Sequence, residues 1–277
     1  MKLSVIIPVY NEIHTLDTIL GKVVQALPQI EKEIILVDDF STDGTREWLQ
    51  KNFIEARGLC SALRHSTDNA AEVATTNFAS HDALAQDLLD SSCVAVAQTP
   101  PVACEVIYHP RNLGKGAALR SGFKAATGDV LVIQDADLEY DPQDWDKMWR
   151  IIADGHGDVV YGSRFYGEPH RVLYFHHLLG NKVISNLLNL LCNTTLSDIE
   201  VCYKMFRREV LEDLALSCDD FGFEVEFTVK VTRSLRRWRI YETGIAYYGR
   251  TYDQGKKISW RDGIKALWYI FKFRFFS

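Results

Sequence analysis

The sequence predicts an α/β fold, in which a mostly parallel sheet is flanked by helices. Short apolar runs alternate with stretches of helical periodicity through the first half of the 277 residues. Some of these runs are continuously apolar, such as Val130-Leu131-Val132-Ile133, which is typical of parallel strands buried on both faces. Because 47% of the residues are hydrophobic, the chain can fill a large core. We therefore expect one main globular domain with additions.

The elements of the first half follow from these runs in order. Strands are predicted over residues 3–9, 33–37, 105–108, 130–134 and 158–161, and helices over residues 12–26, 45–53, 115–126 and 143–153. Asp43-Gly44 and Asn112-Leu113-Gly114 precede two of the helices, where Asp and Asn accept from the first free amides. Residues 55–103 interrupt the alternation with 49 residues rich in Ala, Ser, Thr and Asp. This insertion is either a surface excursion without chemistry, or a lid or partner-binding element.

The second half is predicted to be mainly helical. Helices are expected over residues 176–192, 224–235 and 260–276, with two short extended runs within residues 239–248. The last helix mixes aromatic and aliphatic side chains with cations. That mixture is typical of an amphipathic helix lying on an anionic membrane, and also of a helix packed on the core.

Charge and cysteine usage narrow the class of protein. A net charge of -6 argues against a nucleic-acid binder, although residues 229–277 carry 12 Lys and Arg against 3 Asp and Glu and offer a surface for anionic partners. The six cysteines form no Cys-x-x-Cys pair, so we expect reduced thiols in a cytoplasmic protein. The apolar stretch at the N-terminus is too short for a signal peptide, and no run approaches the roughly 20 apolar residues of a membrane span.

Asp135-Ala136-Asp137 is the motif that most clearly carries chemistry. It follows the buried strand at residues 130–134, and ligands bind at the carboxyl edge of open α/β sheets. Asp135 and Asp137, with Glu139 two residues further on, offer the oxygen ligands that Mg²⁺ or Mn²⁺ prefers. A metal held there would neutralise a diphosphate.

Other polar residues are predicted to reach the same edge. Asp39 follows the second strand, where a carboxylate accepts from a nucleobase, and Tyr10 and Glu12 follow the first strand with an aromatic ring and a carboxylate. Residues 109–120 open a helix with small residues and cations, which suits a phosphate-rich ligand. Their spacing does not match an ATP-binding P-loop.

These segments together resemble glycosyltransferase family two, and within it the dolichyl-phosphate mannose synthases and polyprenyl-phosphate glycosyltransferases. The resemblance covers nearly the whole chain outside the insertion, and includes Gly162-Ser163-Arg164-Phe165 and residues 198–207, 221–226 and 250–263. It implies a GT-A (Rossmann-like) fold, an inverting transfer of a hexose from a GDP-mannose or UDP-glucose type of donor, and a polyprenyl or dolichyl phosphate acceptor. It also implies a catalytic domain at residues 1–250, followed at residues 251–277 by a closing loop and an amphipathic helix.

The resemblance assigns roles to individual residues. The donor pocket would include Pro8, Tyr10, Glu12, Val37, Asp39, Asp135 and Ala136; the metal ligands would be Asp135, Asp137 and Glu139; and the catalytic residues would be Arg164, Asp198, Arg250 and Lys256. Many mannose synthases carry Gln or Arg where Glu139 stands. Arg250 and Lys256 match the loop that closes over the diphosphate, where added positive charge stabilises the leaving group.

Several alternatives remain open at this level. The alternative acceptor is a hydroxyl of a glycan, lipid or protein, in which case Asp198 would act as a base, whereas a phosphate acceptor needs no proton removed. A non-catalytic nucleotide-sugar binder, and a phosphohydrolase with Asp135 as nucleophile, are further readings. Expected partners are the donor, a lipid phosphate, an anionic membrane at its cytoplasmic face, and a second copy of the chain or a membrane protein.

Overall fold

One mixed sheet organises the part of the chain that the computed structural model describes, which is residues 1–54, 102–172, 174–251, 253 and 260–276. The strands are β1 (Leu3–Val9), β2 (Lys32–Asp38), β3 (Ala103–Tyr108), β4 (Val130–Ile133), β5 (Val159–Ser163), β6 (Lys204–Arg207) and β7 (Ile240–Gly244). Their order in the sheet is β3-β2-β1-β4-β6-β5-β7. Strands β1 to β4 pair in parallel, as do β5 and β7, so the predicted α/β fold with a mostly parallel sheet is confirmed.

Helices connect the strands and cover the sheet. They are α1 (Leu16–Gln25), α2 (Thr45–Leu49), α3 (Lys115–Ala125), α4 (Trp145–Ala153), α5 (Phe175–Cys192), α6 (Glu209–Glu212), α7 (Phe223–Arg233) and α8 (Trp260–Phe275). A π-helical turn (Gln50–Ile54) extends α2, and a 3₁₀ turn (Pro142–Asp144) precedes α4. The predicted elements therefore exist, with boundaries that shift by a few residues.

The helices bury the faces that their periodicity predicts. In α1 the buried residues are Leu16, Ile19, Leu20 and Val23, a spacing that places them on one face of a helix. Every residue of β4 is buried, as expected for a strand between two helical layers.

Helix α1 begins later than predicted. Asn11 adopts a left-handed conformation with φ of 54°, which turns the chain away from the direction of β1. Glu12 then lies in the turn before the helix, where its backbone N–H donates to Thr45 Oγ1 at 3.1 Å. The predicted start at residue 12 is therefore wrong, and the change leaves the Glu12 side chain at the sheet edge.

Strand β6 was not predicted, because its four residues, Lys-Met-Phe-Arg, begin and end with a charged residue and do not form an apolar run. It is the antiparallel strand of the sheet, lying between β4 and β5. Its first residue, Lys204, is fully buried and pairs with Glu224 of α7. A charged residue in a central strand is stable only with such a partner, and the partner is 20 residues away in the sequence.

The chain order of the strands creates a crevice. From β1 the chain moves to β2 on one side, whereas β4 lies on the other side. Connections that leave in opposite directions open a cleft at the carboxyl ends of the two strands. The loops after β1, β2 and β4 all reach this edge.

Candidate active site

A cavity of about 1420 Å³ opens at this crevice. Its walls come from the loops after β1, β2 and β4, from the start of α3, and from α5 and α8. The sequence-predicted residues that line it are Pro8, Tyr10, Glu12, Asp39, Asp135, Ala136, Asp137, Glu139, Arg164 and Arg250. The structure therefore brings together most of the predicted site.

Two predicted residues lie elsewhere in the structure, and a third, Lys256, falls on a part of the chain that it does not describe. Val37 is fully buried within β2, so any contact with a donor would be through its backbone. Asp198 is also fully buried, behind Arg164, and is not among the residues that line the cavity. Almost all of the insertion at residues 55–103 also lies outside the described residues.

Asp39 is held by a dense set of hydrogen bonds at the end of β2. Its Oδ1 accepts from the backbone N–H of Leu113 at 2.8 Å, and its Oδ2 accepts from that of Gly114 at 2.8 Å. His109 Nδ1 lies 2.8 Å from Oδ1. Gly114 adopts φ of 96°, a conformation that favours glycine. A glycine is therefore needed at this position to direct the backbone N–H towards Asp39.

The Asp135-Ala136-Asp137 turn follows β4 and is surrounded by cations. Lys115 Nζ lies 2.9 Å from Asp135 Oδ1, and Arg250 Nη2 lies 2.8 Å from Asp137 Oδ2. Leu138 adopts a left-handed φ of 62°, which turns the chain so that the N–H of Glu139 donates to Asp137 Oδ1 at 3.1 Å. The motif is thus a fixed turn that presents both carboxylates to the cavity.

Arg250 joins two of the loops at this edge. Besides Asp137, its guanidinium lies 3.4 Å from both Glu12 Oε2 and Glu139 Oε1. Glu139 also accepts from the backbone N–H of Arg250 at 2.8 Å and from the Tyr247 hydroxyl at 3.1 Å. Glu139 is therefore committed to holding Arg250, whereas Asp135 and Asp137 keep more capacity for another cation.

The acidic turn carries more negative charge than its cations offset. Burial, Asp135 and Glu139 together raise the pKa of Asp137 to about 7, although Arg250 lowers it. In the described part of the chain, no three His, Cys, Asp or Glu side chains converge into a ready-made metal site. Two adjacent carboxylates with excess negative charge nevertheless suit a divalent cation. The donor set therefore fits Mg²⁺ or Mn²⁺ at Asp135 and Asp137.

Arg164 and Asp198 form a two-pronged ion pair beside the cavity. Arg164 Nε and Nη2 each lie 2.7 Å from one carboxylate oxygen of Asp198, and Asn181 Nδ2 donates to the same carboxylate at 3.2 Å. Burial would raise the pKa of Asp198, but the charge and hydrogen bonds of Arg164 outweigh it and hold that pKa below its usual value. Asp198 is thus a fixed anion that orients Arg164.

A half-buried carboxylate from β7 supports this pair. Glu242 Oε1 accepts from the backbone N–H groups of Ser197 and Asp198, at 2.9 and 3.2 Å. Ser197 Oγ in turn lies 2.6 Å from Ser163 Oγ, next to Arg164 in the chain. These bonds fix the two backbone segments that carry Asp198 and Arg164.

Lys115 and Glu200 are among the cavity residues that sequence reasoning did not assign. Lys115 sits between Asp135 and Glu224, and its pKa stays well above its usual value because these carboxylates outweigh the effect of burial. Glu200 lines the cavity, and burial, with Asp198 and Glu224 nearby, raises its pKa to about 7. No local motif marks either residue as functional, because Glu224, which raises the pKa of both, comes from another part of the chain.

Glu200 gives the ligand-free protein a predicted pH dependence. Its pKa is higher in the folded chain than its usual 4.5, so between about pH 4.5 and 7 the folded state holds a proton that the unfolded state has lost. The free energy of unfolding should therefore fall as the pH rises through this window. We expect the Glu200→Gln variant to show a flatter dependence in thermal unfolding from pH 5 to 8. The exposed Glu47→Gln serves as control, and equal slopes in wild type and Glu200→Gln would contradict the assignment.

Comparison with known proteins gives a consistent picture. The family model described as Glycosyl transferase family 2 matches residues 4–81 and 66–215. A dolichol-phosphate mannosyltransferase of Pyrococcus furiosus is 27% identical over 263 residues, which cover 93% of this chain and 61% of that protein. A polyprenol monophosphomannose synthase of Mycolicibacterium smegmatis is 29% identical over 231 residues, covering 81% of this chain and 69% of that protein. The chain thus spans about three fifths of the archaeal relative's length.

A solved structure shares the fold. It is a glucosyl-3-phosphoglycerate synthase from Mycobacterium tuberculosis in complex with Mn²⁺, uridine diphosphate and phosphoglyceric acid. The similarity has a TM-score of 0.64 at 16% identity, and covers 100% of this chain and 79% of the other. The expected GT-A fold is thereby confirmed.

Proposed function

The chain belongs to glycosyl transferase family 2, and on that basis we propose that it transfers a hexose from a nucleotide-diphospho-sugar to a polyprenyl phosphate, with inversion. One observation carries the proposal. Asp39, the Asp135-Asp137 pair, Arg164 and Arg250 all meet at one cavity on the carboxyl edge of the sheet. This set offers a contact for a base, a place for a metal-bound diphosphate, and cations for the departing charge.

The donor half of the reaction follows from these positions. Asp135 and Asp137 would hold Mg²⁺ or Mn²⁺, and the metal, when bound, neutralises the diphosphate of the donor. Arg250 already lies beside this pair, where its charge stabilises the nucleoside diphosphate as it leaves. Glu12 and Glu139 hold Arg250 at this position.

The acceptor half would use the apolar part of the cavity wall. Val172, Phe175, Leu178 and Leu179 line it from the region of α5, and Ile264 lines it from α8. These apolar side chains are all at least 40% exposed, as suits a wall that meets a polyprenyl chain. Arg164, fixed by Asp198, is the cation that orients the acceptor phosphate against the sugar.

A hydroxyl acceptor is the second candidate, and Glu200 is the observation that favours it. With a pKa of about 7, Glu200 is a cavity carboxyl suited to removing a proton from a hydroxyl. A phosphate acceptor is already ionised and needs no such base.

The test compares two lipids that differ only in the acceptor group. Nucleotide sugars labelled in the hexose are incubated with the protein, Mn²⁺ or Mg²⁺, and either a polyprenyl phosphate or the free polyprenol. The proposal expects label in the phosphate lipid only. Transfer to the polyprenol or to a soluble glycan selects the second candidate, and no transfer to any acceptor with bound donor would indicate a non-catalytic binder.

We expect helix α8 to contact an anionic membrane, at the cytoplasmic face where such lipids concentrate. Ala266, Ile270 and Phe273 are buried against the protein, whereas Trp268 is 61% and Phe275 57% exposed. None of the helices in the described residues is long and apolar enough to cross a bilayer. The helix is therefore both packed on the core and amphipathic, as an interfacial helix would be.

A vesicle experiment tests this contact. The Trp268→Glu variant should co-sediment with phosphatidylserine-containing vesicles several-fold less than the wild type, because a carboxylate replaces an apolar anchor. Tyr241→Glu, at a partly exposed aromatic of strand β7, is the matched control. If both variants lose binding equally, or neither does, α8 is not the membrane contact.

A further inference from the structure

The hydrogen bonds of Asp39 restrict which nucleobase it can receive. Asp39 is only 4% exposed, yet it lines the cavity beside Pro8 and Tyr10. Its backbone N–H donates to Val9 O at 2.9 Å, so the residue is fixed to the end of β1. The side chain therefore meets a ligand in one orientation.

Three of its acceptor positions are already filled. A carboxylate offers about four lone-pair positions, two on each oxygen. Oδ1 accepts from Leu113 N–H and faces His109 Nδ1, and Oδ2 accepts from Gly114 N–H, each at 2.8 Å. Among the described residues no further group donates to this carboxylate, so one position remains, and it is on Oδ2.

The role of His109 follows from its two neighbours. An ionised carboxylate accepts and cannot donate, so Nδ1 must carry the proton that faces Asp39. Nε2 lies 2.9 Å from Ser121 Oγ, which can donate to it. His109 is 6% exposed, so this arrangement is shielded from solvent. His109 is thus a positioning residue that closes the second acceptor position of Oδ1.

We propose that this single remaining acceptor selects uracil over guanine, so that the donor is a uridine diphosphate sugar. The inference rests on the proposed function. Guanine presents two neighbouring donors, N1–H and its amino group, which require both oxygens of a carboxylate. Uracil presents one imide N–H between two carbonyl groups. Asp39 can satisfy the second pattern and not the first.

The surroundings of Asp39 also suit the flanking carbonyl groups of uracil. The N–H groups of His109 and Leu113 offset the charge of Oδ1, so a carbonyl oxygen is tolerated next to it. Cytosine and adenine instead present a ring-nitrogen lone pair where uracil has its imide N–H, and an amino group where uracil has one of its carbonyl groups. Tyr10, which is 38% exposed and lines the same part of the cavity, offers a ring for stacking on a base.

Calorimetric binding of nucleoside diphosphates to the full chain tests the proposal. With Mn²⁺ present, UDP should bind about tenfold or more tightly than GDP, since one guanine donor is left unsatisfied in a buried site. CDP and ADP should also bind more weakly than UDP. Equal or tighter binding of GDP, CDP or ADP would overturn the assignment of uracil, and would leave the proposed sugar transfer standing.

Two variants of His109 test the cause. His109→Phe removes the N–H that faces Oδ1 and should bring the UDP-to-GDP preference at least severalfold closer to one. His109→Asn keeps an N–H donor near the position of Nδ1 and should retain the preference. If His109→Phe keeps the wild-type preference, His109 does not set it. If no nucleoside diphosphate binds to the wild type with either metal, the proposed function fails and the base assignment fails with it.

Discussion

Replacing Asp137 by asparagine should lower sugar transfer by about a hundredfold to a thousandfold while leaving the ligand-free protein at least as stable as the wild type. The two effects have different causes. Transfer falls because the amide removes one of the two carboxylates that fit the divalent cation. Stability is preserved because the charged form of Asp137 is already unfavourable in the folded chain.

The expected stability follows from the pKa of Asp137. Burial, Asp135 and Glu139 raise this pKa to about 7, compared with a usual value of 3.8. Above pH 7 the folded chain must therefore hold an anion that the unfolded chain holds at lower cost, and the neutral amide removes this cost. Arg250 loses one partner but keeps Glu12 and Glu139. Thermal unfolding at pH 8 without divalent metal measures the effect.

Asp135→Asn is the matched comparison. Asp135 faces Lys115, whose side chain is only 14% exposed and whose other acidic partner within the described part of the chain is Glu224 at 3.3 Å. Removing the Asp135 charge should therefore lower both transfer and the melting temperature. If Asp137→Asn retains more than about a tenth of wild-type transfer, the carboxylate pair is not the metal site. If it lowers the melting temperature as much as Asp135→Asn does, the charge argument is wrong.

The sequence predicted the donor edge because that edge depends on local signals. The apolar run Val5-Ile6-Ile7 in β1 and the wholly apolar β4 identify buried parallel strands, and parallel strands end at a common edge. Any polar residues immediately after them, such as Asp135 and Asp137, must then meet there. The order of the elements was sufficient to place these residues, without knowledge of their contacts.

The sequence could not predict features that depend on distant partners. Strand β6 has a buried Lys204 that is stable only beside Glu224, and nothing in the four residues of β6 shows this pairing. Likewise, Asp198 looks like a candidate base until Arg164 is seen to occupy both of its oxygens. Burial and long-range pairing, which set protonation, become visible only in the fold.

The Arg164–Asp198 pair gives the second large effect. Asp198→Asn should lower transfer by about a hundredfold or more, and should destabilise the protein by about 3–5 kcal/mol because Arg164 loses its charged partner beside the cavity. Loss of activity in this variant alone does not identify a base, since orienting Arg164 and removing a proton both require Asp198. A second substitution is therefore needed to separate the two roles.

A double-mutant cycle with Arg164 makes that separation. If Asp198 acts by orienting Arg164, then Arg164→Lys, which keeps the charge and loses the two-pronged geometry, should reduce kcat about as much as Asp198→Asn does. Combining Asp198→Asn with Arg164→Met should cost little beyond the more severe single change, because the residues act as one unit. Additive losses, or an acidic limb of the pH–rate profile that disappears in Asp198→Asn alone, would instead show Asp198 acting as a base. The lowered pKa of Asp198 and its place behind Arg164 favour the first result.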